Sequence, residues 1–297
     1  MELKQLAATE PWDWPEGAGA AILAVLQDDA ADQTDRELAA ELAGEMVVIN
    51  DHLAGILLDL VGNADQPDDL RAIAAIALGP CLEEADTMGF DEPAFDEDEL
   101  TITEPTFNRI VERLHQLYQD ESAPKPVRRR ILEAAVRAPR DWHGEAVRAA
   151  WAQDDREWRL TAVFCMQFVN GFDDEILAAL ESDHPEIHYH AVCAAGSWEL
   201  DPAFRHVAGL AIDEKTEKEL RIAAIEAVGT IRPDEAATVL AGLTEHEDED
   251  IADAAMEALV MARGLKEDDF DESDEGDWED EGEDGDGDGD GRGKPRR

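Results

Sequence analysis

The side chains most able to do chemistry in this 297-residue chain are four crowded histidines, His184, His188, His190 and His206. His184 and His188 stand four apart, a spacing that puts two metal-ligating rings on one helical face. Asp183 and Pro185 are helix-start residues, however, and place the start between the two rings. Capping or solvated histidines are the plainer reading. Three cysteines, Cys81, Cys165 and Cys193, are odd in number and show no CxxC spacing. They support neither a disulfide framework nor a zinc site, and they read as small apolar thiols. The chain has no glycine-rich phosphate loop and no GxSxG elbow. Its 73 acidic residues are too many for any pair to stand out as general acid and base. Asp and Gly alternate from Asp284 to Gly291, but the bidentate Glu and flanking helices of an EF-hand are missing. No cofactor and no metal site is expected.

The elements that carry these residues follow from self-similarity. VRRRILEAAVRA from Val127, WRLTAVFCMQFV from Trp158, IHYHAVCAAGSW from Ile187, LRIAAIEAVGTI from Leu220 and IADAAMEALVMA from Ile251 stack in register. Their starts are 31, 29, 33 and 31 residues apart, the signature of a solenoid whose units are helical hairpins. The fifth column holds Ile131, Ala162, Ala191, Ala224 and Ala255. The sixth holds Leu132, Val163, Val192, Ile225 and Met256, and the eighth Ala134, Cys165, Ala194, Ala227 and Ala258. Spacings of three and four put these on one buried helical stripe. LRAIAAIALGPCL from Leu70 fits the same columns with Ala74 and Ala77. A shorter amphipathic helix precedes each stripe, as in DDEILAALES, AFRHVAGLA and EAATVLAGLTE. Seven hairpins result, near 15–46, 49–85, 104–138, 141–169, 172–199, 201–231 and 233–264.

The aromatics Trp142, Trp151, Trp158, Phe164, Phe168, Tyr189 and Trp198 all lie between 142 and 198. Phe164, Phe168 and Trp198 fall off the small-residue columns. With Arg130, Gln167 and His190 they form a candidate partner-binding face on the inner side of the array, since aromatics are favoured at binding hot spots.

The repeats resemble the HEAT family, in particular the short PBS-lyase HEAT-like type. The likeness is carried by DHPEIHYHAVCAAG (183–196) and KELRIAAIEAVGTIRPDEAATVLAGL (218–243). It implies an all-α, right-handed α-α superhelix. It also implies that the basic row near the start of each second helix pairs with acids of the preceding turn. Here that row is Arg71, Arg128, Arg159, His188 and Arg221, with Ala252 in the last repeat. HEAT-built deoxyhypusine hydroxylases hold two irons with His-Glu dipeptides at second-helix starts. The sole His-Glu here, His246-Glu247, lies in a turn. A protein-protein scaffold is therefore expected rather than an enzyme, with a bilin lyase-like enzyme or subunit as the alternative.

Charge bounds the partner. Residues 1–265 carry 57 acidic against 20 basic side chains, and 266–297 carry 16 against 5, within a net charge of −48. Such a field repels phosphate backbones, so nucleic acid is not expected. It suits a soluble protein, a basic protein partner, or a high-salt cytoplasm. The expected organisation is a repeat array over 1–265, interrupted by an acidic loop at 86–103, and a disordered acidic tail over 266–297. No apolar run approaches the roughly 20 residues of a membrane span, and no secretory signal is visible. A cytoplasmic location is expected.

Overall fold

The computed structural model describes the backbone of residues 2–90 and 101–272, and side chains as far as Gly264. Within it, α1 (Leu3–Leu6) precedes the first hairpin, α2 (Ala18–Leu26) and α3 (Gln33–Leu42). Next come α4 (Asp51–Gly62) with α5 (Asp68–Ile76), and an additional helix, α6 (Gly79–Met88). The array resumes with α7 (Glu104–Gln119) and α8 (Lys125–Ala135), then α9 (His143–Trp151) and α10 (Arg156–Cys165). The last three hairpins pair α11 (Asp173–Ala179) with α12 (Pro185–Ser197), α13 (Phe204–Ile212) with α14 (Lys218–Ile231), and α15 (Pro233–Leu240) with α16 (Glu249–Glu272). This is the all-α array of stacked helical hairpins that the spacing predicts. Among the described residues no helix is long and apolar enough to cross a membrane. Residues 91–100 and 273–297, which hold most of the expected acidic loop and tail, lie outside the described residues.

Local chemistry sets the helix starts. Asp155 accepts from the amides of Glu157 and Trp158, and Asn50 from those of His52 and Leu53, each satisfying otherwise orphaned N–H groups. Pro185 and Pro233 occupy first helical positions, where the missing N–H costs nothing.

The second helices touch one another at every step: α3 on α5, then α8, α10, α12, α14 and α16 in turn. The first helices meet one another less closely throughout, most at α4–α7 and α13–α15. The row in closer contact is the inside of the curve, so the second helices line the concave face. Small residues permit this approach. A methyl added at Gly229 of α14 would fall 2.8 Å from the Ala258 carbonyl oxygen of α16.

The fifth and eighth columns are buried throughout. The sixth is buried from Leu132 to Ile225, but Met256 is 46% exposed. It belongs to the last described hairpin, and among the described residues no further hairpin packs on it; Val260 and Met261 beside it are exposed too. The core forms two clusters that dovetail at α8, which gives Ile131, Ala134 and Ala135 to one and Leu132, with Val136 at its C-terminal cap, to the other. Fully burying a side chain such as Leu132 contributes about 1.5–3 kcal/mol.

Candidate functional site: a strip on the concave face

Three positions of each second helix, the fourth, seventh and eleventh of the stacked segments, lie between the buried columns and the concavity. In α8 they are Arg130, Glu133 and Arg137. The next segment gives Thr161, Phe164 and Phe168, and α12 begins its set with His190. Spacings of three and four make each set one face, and stacking the helices joins the faces into a strip.

A hydrogen-bonded chain opens the strip. Arg129 Nε donates to Thr161 Oγ1 at 2.8 Å, and Thr161 Oγ1 donates to Glu133 Oε1 at 2.5 Å. Arg130 donates to the other Glu133 oxygen at 2.5 Å, and Arg129 also reaches Glu157 at 3.1 Å. The Glu133 side chain is only 3% exposed. Its burial is tolerable because guanidinium and hydroxyl donors serve both carboxylate oxygens.

Aromatic rings continue the strip. Phe164 and Phe168 sit 5.5 Å apart, centroid to centroid, and the Arg137 guanidinium lies 5.6 and 5.1 Å from their centres. The arginine also donates to Glu83 of α6. It can cross α6 because residue 79 is glycine: a Cβ there would lie 2.7 Å from Arg137 Cδ. His190 presents its ring at 89° to Phe164, with centroids 5.3 Å apart. Gln167 Nε2 is 3.2 Å from His190 Nδ1 and donates to the Phe164 carbonyl at 3.1 Å. Burial holds the His190 imidazole below its ordinary range, against the opposite pull of Glu133 and Glu186. Phe164, Gln167, Phe168 and His190 are all half-buried, so the strip is a packed surface with open edges.

Of the six residues expected on this face, Phe164, Gln167, Phe168 and His190 form one contact group, and Arg130 adjoins it through Glu133. Trp198 is held apart. Its indole Nε1 donates at 2.6 Å to the Met166 carbonyl at the end of α10. Sequence reasoning missed Arg137, Glu133 and Thr161. Arg137 shares its column with Phe168, and Glu133 shares Phe164's, so reading charged residues column by column would have found both.

Charge varies along the chain. Residues 125–159 carry nine basic against six acidic side chains, a net +3 inside a chain at −48. Farther along, the carboxyl of Glu226 on α14 is pushed up by burial and by Glu257 of α16. On the other side of the strip, a groove of about 510 Å³ has Ala72, Ile73 and Ile76 for its apolar part and Arg129 and Arg130 at its border.

The basic row works differently from the expected acid ladder. Arg71 Nε donates to the Val61 carbonyl at 3.1 Å, Arg128 Nε to Tyr118 at 3.2 Å and Arg221 Nε to Ala211 at 2.9 Å. Each acceptor is ten residues upstream, in the last turn of the preceding first helix. The guanidinium caps orphaned carbonyls at the negative helix end. Acid pairing is secondary, as in Arg71 with Asp68 at 3.7 Å. Two repeats depart from the row. Arg159 lies 5.5 Å from the Trp151 ring centre, and His188 turns to His206. His246, of the lone His-Glu, accepts from the Asp248 amide at 3.0 Å in its turn.

No family model matches this sequence, and no curated protein does. Solved structures with related shapes include human deoxyhypusine hydroxylase in complex with glycerol, at 17% identity over 84% of this chain and 86% of that one, TM-score 0.39. Escherichia coli YibA is 16% identical over 82% of each chain, TM-score 0.41. An engineered protein is 14% identical over 83% of this chain and 96% of that one, TM-score 0.34. All three TM-scores lie below 0.5, and nothing of these proteins' activities carries over to this chain.

Proposed function

We propose that this chain is a protein-interaction scaffold of the short PBS-lyase HEAT-like type, docking a partner along its concave strip. The observation that carries the reading is the half-exposed Phe164–Phe168 pair, with Arg137 laid across it and His190 at its edge. Rigid aromatic anchors beside hydrogen-bonded polar groups are the make-up of binding hot spots. Charge adds direction. A chain at −48 steers basic partners toward itself, and the carboxylates around Glu226 offer partners for their cations. An enzyme or enzyme subunit of the bilin lyase-like class is the rival reading.

Capture from native extract separates the two, with wild type and the double variant Phe164→Ala/Phe168→Ala run side by side at two salt concentrations. The scaffold reading expects a protein captured in stoichiometric amount, its affinity falling about 30-fold or more in the double variant while the thermal midpoint stays within a few degrees. Equal capture by both proteins refutes the strip. A chromophore co-purifying with the wild type, without a protein partner, refutes the scaffold.

A further inference from the structure

The convex side, made by the first helices, carries a polar trough between α4 and α7. Gly55, Asp59 and Gly62 stand four and three apart on α4, which makes them one stripe of that helix. The stripe faces α7, which packs on α4 although α5 and α6 intervene in sequence. Arg109 and Arg113, one turn apart on α7, reach over it. A Cβ at Gly55 would lie 3.0 Å from Arg109 Nη2, and one at Gly62 would lie 3.1 Å from Arg113 Nη2. The two glycines thus let both guanidiniums lie in the trough. Asp59 comes between them, since helical neighbours three or four apart hold their Cβ atoms about 5–6 Å from each other. The resulting cavity of about 330 Å³ is lined by Leu58, Asp59, Gly62, Asn63, Arg109 and Arg113. Its three charged side chains are exposed, so a ligand reaches them without backbone movement.

Both guanidiniums have donors to spare. Among the described residues neither forms an ion pair, and Arg113 donates only to Gln116, at 3.3 Å. Asp51 feels the charge of Arg109, but its two oxygens already accept from the Thr103 amide and hydroxyl, at 2.8 Å each. Asp59 shares the cavity without closing on either arginine. Guanidinium forks match the planar geometry of a carboxylate. A phosphate dianion would fit the arginines as well, but the Asp59 carboxylate would repel it. A carboxylate with an ammonium group beside it satisfies all three charges, the arginines taking the anion and Asp59 the cation. We infer that this trough is a site for a small zwitterion of the α-amino-acid class, held by Arg109, Arg113 and Asp59. The cavity falls in the size range of small-molecule sites. A bound zwitterion would bridge α4 to α7 and leave the concave strip free.

The test is calorimetric titration of the full chain with L-alanine, L-leucine and L-glutamate, and with acetate, ethylamine and inorganic phosphate as fragments of the charge pattern. One equivalent of at least one amino acid is expected to bind and to raise the thermal midpoint by mass action. Acetate and ethylamine, which each carry half of the pattern, should bind at least about tenfold more weakly. Arg113→Gln should weaken the amino acid by a similar factor while its ligand-free midpoint stays at the wild-type value, because the position is exposed. Asp59→Asn should lose the preference for a zwitterion and gain affinity for acetate and phosphate. Wild type that binds none of the three amino acids, or that prefers phosphate to all of them, overturns the inference. So does amino-acid binding that is undiminished in Arg113→Gln or in Asp59→Asn. Phosphate binding that appears only in Asp59→Asn would show that Asp59 itself fills the arginines, which overturns it too.

Discussion

The repeats at α4–α5, α7–α8 and α13–α14 differ in kind from those at α9–α10 and α11–α12. In the first group one arginine does one job three times, closing the end of the preceding helix from a fixed distance in sequence. In the second group the same position holds Arg159, stacked on Trp151, and His188, paired with His206. The second group also contributes Phe164, Gln167, Phe168 and His190 to the concave strip. A periodic structural task constrains the residue that performs it. Where the array stops using that task, side chains are freed for contacts beyond their own hairpin.

The comparison would be sharpened most by the buried carboxylate where the two groups meet. Glu133→Gln removes the anion that Arg130, Arg129 and Thr161 share. Breaking a buried charge network in this way is expected to cost about 3 kcal/mol, read as a lowered urea midpoint. A cost under ~1 kcal/mol would mean that the strip is held by its aromatic contacts alone.

A pair of variants tests the row directly. Arg221→Ala strips the Ala211 carbonyl of its buried donor and should cost about 2 kcal/mol, the worth of a charge-assisted bond and the polar group left behind. Arg159→Ala, at an exposed position with only a ring contact, should cost less than ~0.5 kcal/mol. Equal losses would erase the distinction between kept and broken rows.

A smaller effect than the loss of Arg221 is one of pH. His143 of α9 is 1% exposed and accepts from the Arg140 amide at 2.9 Å. Burial, reinforced by Arg140 and His115, pushes its imidazole down from 6.5 to about 3. Unfolded chain takes up a proton below pH 6.5, while the folded protein resists it until near 3. The contribution to stability is therefore complete above 6.5 and is lost as pH falls through that window. Between pH 6.5 and 5.5 the wild type should lose about 1 kcal/mol more than His143→Gln. Parallel losses in the two proteins would show that His143 is protonated in place.

Much of the array was legible in the sequence because burial is periodic. Ala162, Ala191, Ala224 and Ala255 repeat at the hairpin spacing, and only a stack of helices buries them all. The strip was half legible: Phe164 and Phe168 stood out as large residues off the small-residue columns. Arg137 and Glu133 did not, because a charged side chain reads as solvated until its partners are known.

By itself, then, the sequence determined the helical hairpins and the columns that each second helix buries, since these depend on local periodicity, Pro and Asp starts, and column size. Tertiary structure decided the partners. Arg137 meets Glu83 from 54 residues away, Trp198 reaches across to Met166, and His188 finds His206. Met256 has the column of a core residue and lies exposed on the last described hairpin, where no other described helix row packs over it. Which atoms meet depends on the offset between neighbouring helices, and that is not written in the pattern of any one repeat.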